Sequence, residues 1–170
     1  MKRVTLNFPG VDRTASAWLI KRYIDPEAEF IFINWSYEPI PEDTVPFDIK
    51  GVELCHKNNK CTFEVIIEKY GIKDAIVHKI AELVHAMDIE GELDKVPEAK
   101  GIKMIISGLR FAAKDDSEVV NLGLKIWDAI YAYFKSVELM EKYAEKIKDL
   151  SRFEKYKLIR EEVRKDIIFY

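Results

Sequence analysis

Cysteine, glycine and long apolar runs are all scarce in this sequence. Two cysteines among 170 residues cannot form the disulfide framework of a small secreted domain, so we expect free thiols or ligands in a reducing compartment. Polar residues interrupt each apolar stretch, including the one behind Lys2 and Arg3, which argues against a membrane span or a signal peptide. A chain that is 48% hydrophobic and 34% charged is therefore expected to be a soluble cytoplasmic protein with no membrane partner.

An excess of positive charge is also absent, because 27 basic residues face 30 acidic ones and leave a formal net charge of -3. This balance gives no general electrostatic surface for nucleic acid, so no nucleic-acid partner is expected for this chain alone. The loop FPGVDR, residues 8–13, lacks the glycines of a nucleotide-binding loop, and no serine has the signature of a hydrolase nucleophile. Nucleotide binding and serine-type hydrolysis are therefore disfavoured.

The N-terminal third of the chain predicts a small β-sheet. Residues 3–8 and 28–35 are rich in β-forming side chains, and the segment between them, from Asp12 to Tyr23, has apolar residues at helical spacing. This order predicts two parallel strands joined by a right-handed helical crossover. The proline-rich stretch 36–46 is predicted to be a loop, and residues 47–56 a broken or hairpin-like β segment.

The rest of the chain predicts helices separated by turn-forming residues. They are a helix capped by Thr62 and ended by Gly71, one from Asp74 to about Ile89, one from Pro97 to Phe111, a long interrupted one from Asp115 to about Leu150, and one over residues 151–170. The predicted fold class is therefore α/β, with a small N-terminal sheet (strand, helix, strand and one more β segment) followed by a mostly helical remainder.

The opening loop is a candidate anion site. Gly10 lies between a strand end and a helix start, where free backbone N–H groups attract anions, and Arg13 follows on the first helical turn. The alternative is that Asp12 merely caps the helix and Arg13 is solvated. The sequence leaves both interpretations open.

A second candidate site lies in GVELCHKNNKCTFEVI, residues 51–66, which offers thiol, imidazole and carboxylate donors. The spacing of Cys55 and Cys61 matches no zinc ribbon or knuckle, so the polar residues could equally belong to a strand, a turn and a helix. His85 and Asp88 form a further donor pair, because residues three apart share one side of a helix. Such a pair suits metal binding or acid–base chemistry, but it also fits a hydrogen-bonded histidine and a solvated acid.

Three of these stretches together resemble the C-terminal domain of the chromate-resistance protein B family. They are VDRTASAWLIKRYIDPEAEFIFI at 11–33, PFDIKGVELCHKNNKCTFEVIIEKYG at 46–71 and VHAMDIEGELDKVPEAKGI at 84–102, with a weaker match at 122–134. The resemblance implies a domain over 1–135, and we expect 136–170 to be a helical extension packed on it. Longer family members have a preceding region to which DNA-binding regulation is attributed, and that role is not expected to transfer to this chain.

The resemblance favours a metal or oxyanion site at the polar cluster. Its candidate metal ligands are His56, Asp88, Glu64, His85 and Cys61, for a divalent ion of unknown identity, while Asp12 and Asp48 belong to the family pattern as supporting residues. Chromate is a tetrahedral dianion, so Arg13 is the candidate anion contact and Cys61 a thiol that could sense or reduce it. The metal is the preferred ligand, because the acids of the cluster would repel chromate.

The leading functional hypothesis is a stress-response or metal-resistance module that acts through bound metal or oxyanion. One alternative is a metal-dependent or thiol-dependent enzyme of unknown substrate. Another is an interaction module in which the polar cluster only stabilises the fold. A homodimer is compatible with all three, because amphipathic helices do not reveal whether their apolar sides pack within or between chains.

Overall fold

Three parallel strands form the sheet of this computed structural model, which describes residues 1–34 and 38–167. They are β1 (Lys2–Leu6), β2 (Glu29–Ile33) and β3 (Val45–Pro46), in the order β2-β1-β3. β1 pairs along its whole length with β2, from Lys2 opposite Glu29 to Leu6 opposite Ile33. Helix α1 (Val11–Tyr23) connects the two strands, so the predicted strand–helix–strand unit with parallel strands is confirmed. Trp35, in the predicted second strand, lies outside the described residues.

The third strand is not where the sequence predicted it. β3 occupies Val45–Pro46, inside the predicted loop, and pairs with β1 in parallel. Residues 47–56 form turns with one isolated parallel bridge between Phe47 and Leu54, so the prediction of a broken or hairpin-like β segment there is wrong. The physical reason is backbone conformation, since Asp48 and Gly51 have φ angles of 50° and 92°, which a continuous strand does not accommodate.

The remainder is helical, as predicted, and the predicted interruption of the long helix occurs at Tyr143. Cys61, not Thr62, occupies the N-cap position of the first of these helices, because the chain becomes helical one residue earlier than the capping pattern suggested. The helices are α2 (Thr62–Tyr70), α3 (Ala75–Asp88), α4 (Pro97–Ala112), α5 (Asp116–Lys142), α6 (Ala144–Ile147) and α7 (Arg152–Arg164), with a 3-10 turn at Leu93–Lys95. None of the described helices is both long and apolar enough to cross a membrane.

Helix α1 lies at the centre of the core and is held from several directions. Trp18 is fully buried, stacks on Phe63 of α2 and donates its indole N–H to Asp128 of α5 at 2.8 Å. Trp127 of α5 donates in the same way to the Thr14 hydroxyl at 3.1 Å. Two indole hydrogen bonds and an aromatic stack therefore fix the position of α1, and with it the residues on its first turn.

The C-terminal residues pack on α5. Leu139, Ile159 and Val163 form a small apolar cluster between α5 and α7, and Lys135 forms an ion pair with Asp166 at 3.1 Å. Helix α5 passes through residue 135 without a break. The division of the chain into 1–135 and 136–170 stays a prediction.

Candidate functional site

Asp12 and Asp48 lie close together beside the central strand β1, where the strand order of the sheet reverses. The chain leaves β1 to form β2 on one side and later returns to form β3 on the other, so the carboxyl ends of β1 and β3 border a crevice. Ligands of open α/β sheets bind at such a crevice. Asp12 follows β1 on the first turn of α1, and Asp48 follows β3.

The backbone of Asp48 has the left-handed conformation, with φ of 50°, which is uncommon for any residue other than glycine. Its side chain lies between two partners. One carboxylate oxygen is 3.0 Å from Arg13 Nε, and the other accepts a hydrogen bond from the Thr62 hydroxyl at 2.8 Å. Arg13 therefore forms an ion pair with Asp48. The alternative prediction, in which Arg13 is only solvated, does not describe this contact.

The buried Asp12 caps a helix other than its own. Its two carboxylate oxygens accept hydrogen bonds from the backbone N–H groups of Thr62 at 2.7 Å and Phe63 at 2.9 Å, at the N-terminus of α2. Free N–H groups and the positive end of the helix dipole both stabilise a carboxylate at this position. The expectation that Asp12 simply caps α1 is therefore wrong, because its side chain turns toward the neighbouring helix.

His56 is positioned by a tight turn. The following residues Asn58 and Asn59 both have positive φ, and Lys57 and Lys60 exchange backbone hydrogen bonds at 3.1 and 3.0 Å. Two successive residues in the left-handed region are what a two-residue hairpin turn of type I′ requires, and asparagine tolerates that conformation well. The turn reverses the chain so that His56 lies over the crevice and Cys61 reaches the N-cap position of α2.

Three carboxylates converge on one nitrogen of His56. Its Nε2 atom lies 3.0 Å from Asp12 Oδ2, 3.4 Å from Asp48 Oδ1 and 3.0 Å from Asp88 Oδ2. Hydrogen bonds to Asp12 and Asp48 raise the pKa of His56 to about 10, so in this arrangement the ring is a cation. A single Nε2–H cannot hydrogen-bond well to three acceptors at once.

Asp88, the last residue of α3, is the least satisfied of these acids. Its buried Oδ2 has no hydrogen-bond partner among the described residues, even though it lies close to His56. Burial, together with repulsion from Asp12, raises the pKa of Asp88 to about 6. A buried carboxylate oxygen without a hydrogen bond is costly, and it indicates either a functional role or a missing partner.

Glu64 and His85 form a separate pair beside the cluster. His85 Nδ1 lies 2.8 Å from Glu64 Oε2, and the same oxygen accepts a hydrogen bond from Cys61 N at 2.9 Å. A carboxylate on Nδ1 orients the imidazole and leaves Nε2 for another partner, which is how many metal-binding histidines are held. The structure therefore joins two of the predicted ligands to each other and not to His56.

Comparisons with known proteins agree on one family. The model of the family described as "ChrB, C-terminal domain" matches residues 3–134 of this chain. The chain belongs to this family. Protein ChrB of Cupriavidus metallidurans is 31% identical over 127 residues, which cover 74% of this chain and 38% of that protein. The chain thus spans about two fifths of the length of this curated relative, and no solved structure matches it significantly.

The central acids and histidine of this ChrB-family domain all lie within the matched residues. Among the described residues, Asp12, Asp48 and His56 bring one ligand atom each within 4.8 Å of the others, which is close enough to hold one cation. The sequence had placed Asp12 and Asp48 only as supporting residues. Their positions beyond the carboxyl ends of neighbouring strands, Asp12 at the start of α1 and Asp48 after β3, were a signal for a more central role. The wrong placement of the third strand concealed this signal.

The two thiols differ sharply in environment. Cys61 is fully buried, burial raises the pKa of its thiol, and it does not belong to the Asp12–Asp48–His56 group. Cys55 is partly exposed and lines a cavity of about 380 Å³ together with Arg13, Lys50 and His56. Cys55 is therefore the thiol beside the site, whereas the family resemblance had favoured Cys61.

Arg110, which the sequence analysis did not identify as a candidate, contacts the loop at residues 8–13. The guanidinium of Arg110, on α4, lies over Gly10 and donates a hydrogen bond to the Pro9 carbonyl at 3.2 Å. Any side chain at Gly10 would collide with it. Burial and the nearby charge of Arg13 lower the pKa of Arg110, so two cations lie close together at the start of α1.

Proposed function

We propose that this ChrB-family domain acts in chromate resistance as a metal-binding module, in which Asp12, Asp48 and His56 hold a divalent cation. The convergence of three carboxylates on a single imidazole nitrogen supports the proposal most strongly. A proton on Nε2 satisfies one or two of these acids at a time, whereas a divalent ion interacts with several ligand oxygens at once.

The donor set limits the kind of ion. One imidazole nitrogen with carboxylate oxygens suits borderline and hard divalent ions such as zinc, manganese, nickel or iron(II), and it disfavours ions that require thiolates. Asp88 is the natural additional ligand, because its buried Oδ2 lacks a hydrogen bond. Binding requires that His56 lose its Nε2 proton, so metal affinity increases with pH.

The N-terminus of α2 keeps the ligands in place. Asp12 stays bound to the backbone of Thr62 and Phe63, and Asp48 to the Thr62 hydroxyl and to Arg13. Such surrounding contacts orient metal ligands, and losing them typically costs about 10- to 100-fold in affinity. Thr62 and Arg13 are accordingly assigned as positioning residues.

Metal titration of the purified full chain tests this function. Stoichiometric binding by calorimetry or elemental analysis is expected for the native protein, with a loss of more than about 100-fold in affinity in His56→Ala and Asp48→Asn. His78→Ala is the matched control, because His78 lies on α3 and its ring hydrogen-bonds to the Ile72 carbonyl, away from the proposed ligands. Native protein that binds none of the ions above, or an equal loss in the His78 variant, contradicts the proposal.

An oxyanion site is a second candidate function, supported by Arg13 and Lys50, which line the same cavity as Cys55, and by the charge of Arg110 close to Arg13. Clustered cations beside a helix N-terminus favour a tetrahedral dianion. Chromate and sulfate should then raise the melting temperature of the native chain, and Arg13→Gln should abolish the shift while retaining the fold. Lys2→Gln, an exposed lysine paired with Asp43 on the surface, is the control.

A further inference from the structure

Helix α4 is apolar on both of its long sides. Ala99 and Ile106 are fully buried on the inner side, as expected for a helix that packs on a core. The opposite side consists of five residues at helical spacing, which we call the α4 outer stripe: Gly101, Met104, Ile105, Gly108 and Phe111. The side chains of Met104, Ile105 and Phe111 are 72%, 52% and 89% exposed. Contiguous exposed apolar side chains of this kind mark an interaction surface.

The two glycines of the stripe point to close packing by a helix. Each glycine inside a helix costs about 1 kcal/mol relative to alanine. A Cβ at either Gly101 or Gly108 would meet no atom within 4 Å, so contacts within the chain do not require glycine at these positions. Glycine at these two positions would allow the backbone of another helix to pack closely against the outer side of α4.

We propose that the α4 outer stripe is the contact between two copies of this chain, which pack there as an antiparallel helix pair. The stripe suits two-fold pairing, because the segment from Gly101 to Gly108 has a glycine at each end and the exposed Met104 and Ile105 at its centre. A two-fold axis through that centre sets each Gly101 against the partner's Gly108 and brings the central apolar side chains together. Such isologous contacts are the commonest form of dimer interface.

Electrostatics and area agree with a second copy as the occupant. No member of the stripe is charged, and the adjacent Lys100 forms an ion pair with Asp94. Ile105 also borders a groove of about 730 Å³ between α3, α4 and α5, which is mostly apolar but is also lined by Lys79, Glu82 and Glu98. The exposed Tyr133 and Val137 lie at its rim. This groove extends the apolar surface toward the roughly 800 Å² per partner that stable interfaces bury.

Analytical ultracentrifugation of the full chain tests the dimer. Native protein is expected to sediment at twice its monomer mass of 19.9 kDa, and Phe111→Glu is expected to raise the dimer dissociation constant at least about tenfold, equivalent to 1.4 kcal/mol. Phe153→Glu is the matched control, because Phe153 is also a 76% exposed phenylalanine but lies on α7. A native chain that remains monomeric at high micromolar concentration overturns the proposal, as does a Phe111→Glu variant that dimerises like the native chain.

Gly108→Leu separates dimerisation from folding. Leucine has a higher helix propensity than glycine, so the substitution should preserve the circular dichroism spectrum while it blocks close approach and dissociates the dimer. Retention of the dimer in Gly108→Leu contradicts close helix packing. A native monomer that co-sediments with phosphatidylcholine vesicles instead would assign the stripe to a lipid surface and also overturn the proposal.

Cross-linking tests the antiparallel arrangement. In a Cys55→Ser background, Met104→Cys should be cross-linked rapidly by a short bismaleimide, since these positions lie next to the proposed two-fold axis. Phe111→Cys should not cross-link to itself, because the two copies of that residue would lie about 20 Å apart along the helix axis at 1.5 Å per residue. Efficient cross-linking at position 111 but not at 104 overturns the antiparallel arrangement.

Discussion

Asp88 Oδ2 lies 3.0 Å from His56 Nε2, yet it has no hydrogen bond among the described residues. The histidine instead hydrogen-bonds to Asp12. The Oδ2 atom of this partly buried acid is therefore close to a positive charge, yet it is neither exposed to solvent nor hydrogen-bonded. Under the proposed function Asp88 serves ligand binding at a cost in stability, and this leads to the first prediction.

Asp88→Asn should stabilise the metal-free protein at neutral pH and weaken metal binding. Burial raises the pKa of Asp88 from 3.8 to about 6, so its carboxyl group binds a proton more tightly in the native state than in the unfolded state. The stability contribution of this proton is fully present below 3.8 and is lost as the pH rises through about 6. Asparagine removes the cost of ionisation, and the free energy of unfolding near pH 8 should increase by about 1–2 kcal/mol.

Urea unfolding at pH 3.5 and pH 8 checks this prediction, with the difference between variant and native protein expected mainly at the higher pH. Asp94→Asn is the control, because Asp94 is a fully solvated acid paired with Lys100. A destabilised Asp88→Asn protein at pH 8 would show that this carboxylate stabilises the fold.

His56 in the metal-free protein should titrate far above an ordinary histidine. Hydrogen bonds to Asp12 and Asp48 raise its pKa from 6.5 to about 10. The raised pKa means that His56 contributes stability fully below pH 6.5 and that this contribution disappears as the pH rises through about 10. NMR titration of the ring protons measures the shift. A midpoint near 6.5 for His56 would contradict the convergence of the acids on its Nε2.

Asp12→Ala should destabilise the protein more than either of the other two aspartate substitutions. The substitution leaves the N–H groups of Thr62 and Phe63 buried without their acceptor and removes the cap of α2. We expect a decrease of about 2–4 kcal/mol in the free energy of unfolding, measured by urea denaturation of metal-free protein. Asp48→Ala, which loses contacts to Arg13 and the Thr62 side chain, serves as the comparison. A smaller effect at Asp12 than at Asp48 would contradict this assignment.

Cys55 should react with maleimide in the native protein, whereas Cys61 should react only after unfolding. Cys55 is partly exposed beside His56, while Cys61 is fully buried and its thiol pKa is raised by burial. Mass spectrometry of the labelled native, Cys55→Ser and Cys61→Ser proteins identifies the modified residue. If the proposed metal occupies the neighbouring ligands, it should slow the labelling of Cys55. Rapid labelling of Cys61 in folded protein would contradict its burial.

The sequence by itself determined the class of fold, the family and the polar residues of the site. The spacing of apolar residues is a local property that can be read from the sequence. It therefore predicted β1, α1, β2 and the later helices. The same local signals indicated His56 and Asp88 as ligand candidates. They failed at β3, because a two-residue strand has no periodicity of its own and forms only by pairing with β1.

Only the tertiary structure decided which polar residues meet. The order β2-β1-β3 brings Asp12 and Asp48 to one crevice, and the end of α3 adds Asp88 to the same imidazole. Backbone N–H groups at the N-terminus of α2 donate the hydrogen bonds that stabilise the buried carboxylate of Asp12. These contacts join residues far apart in the chain, and their free energy depends on distance, burial and orientation, none of which the spacing of residues along a sequence specifies.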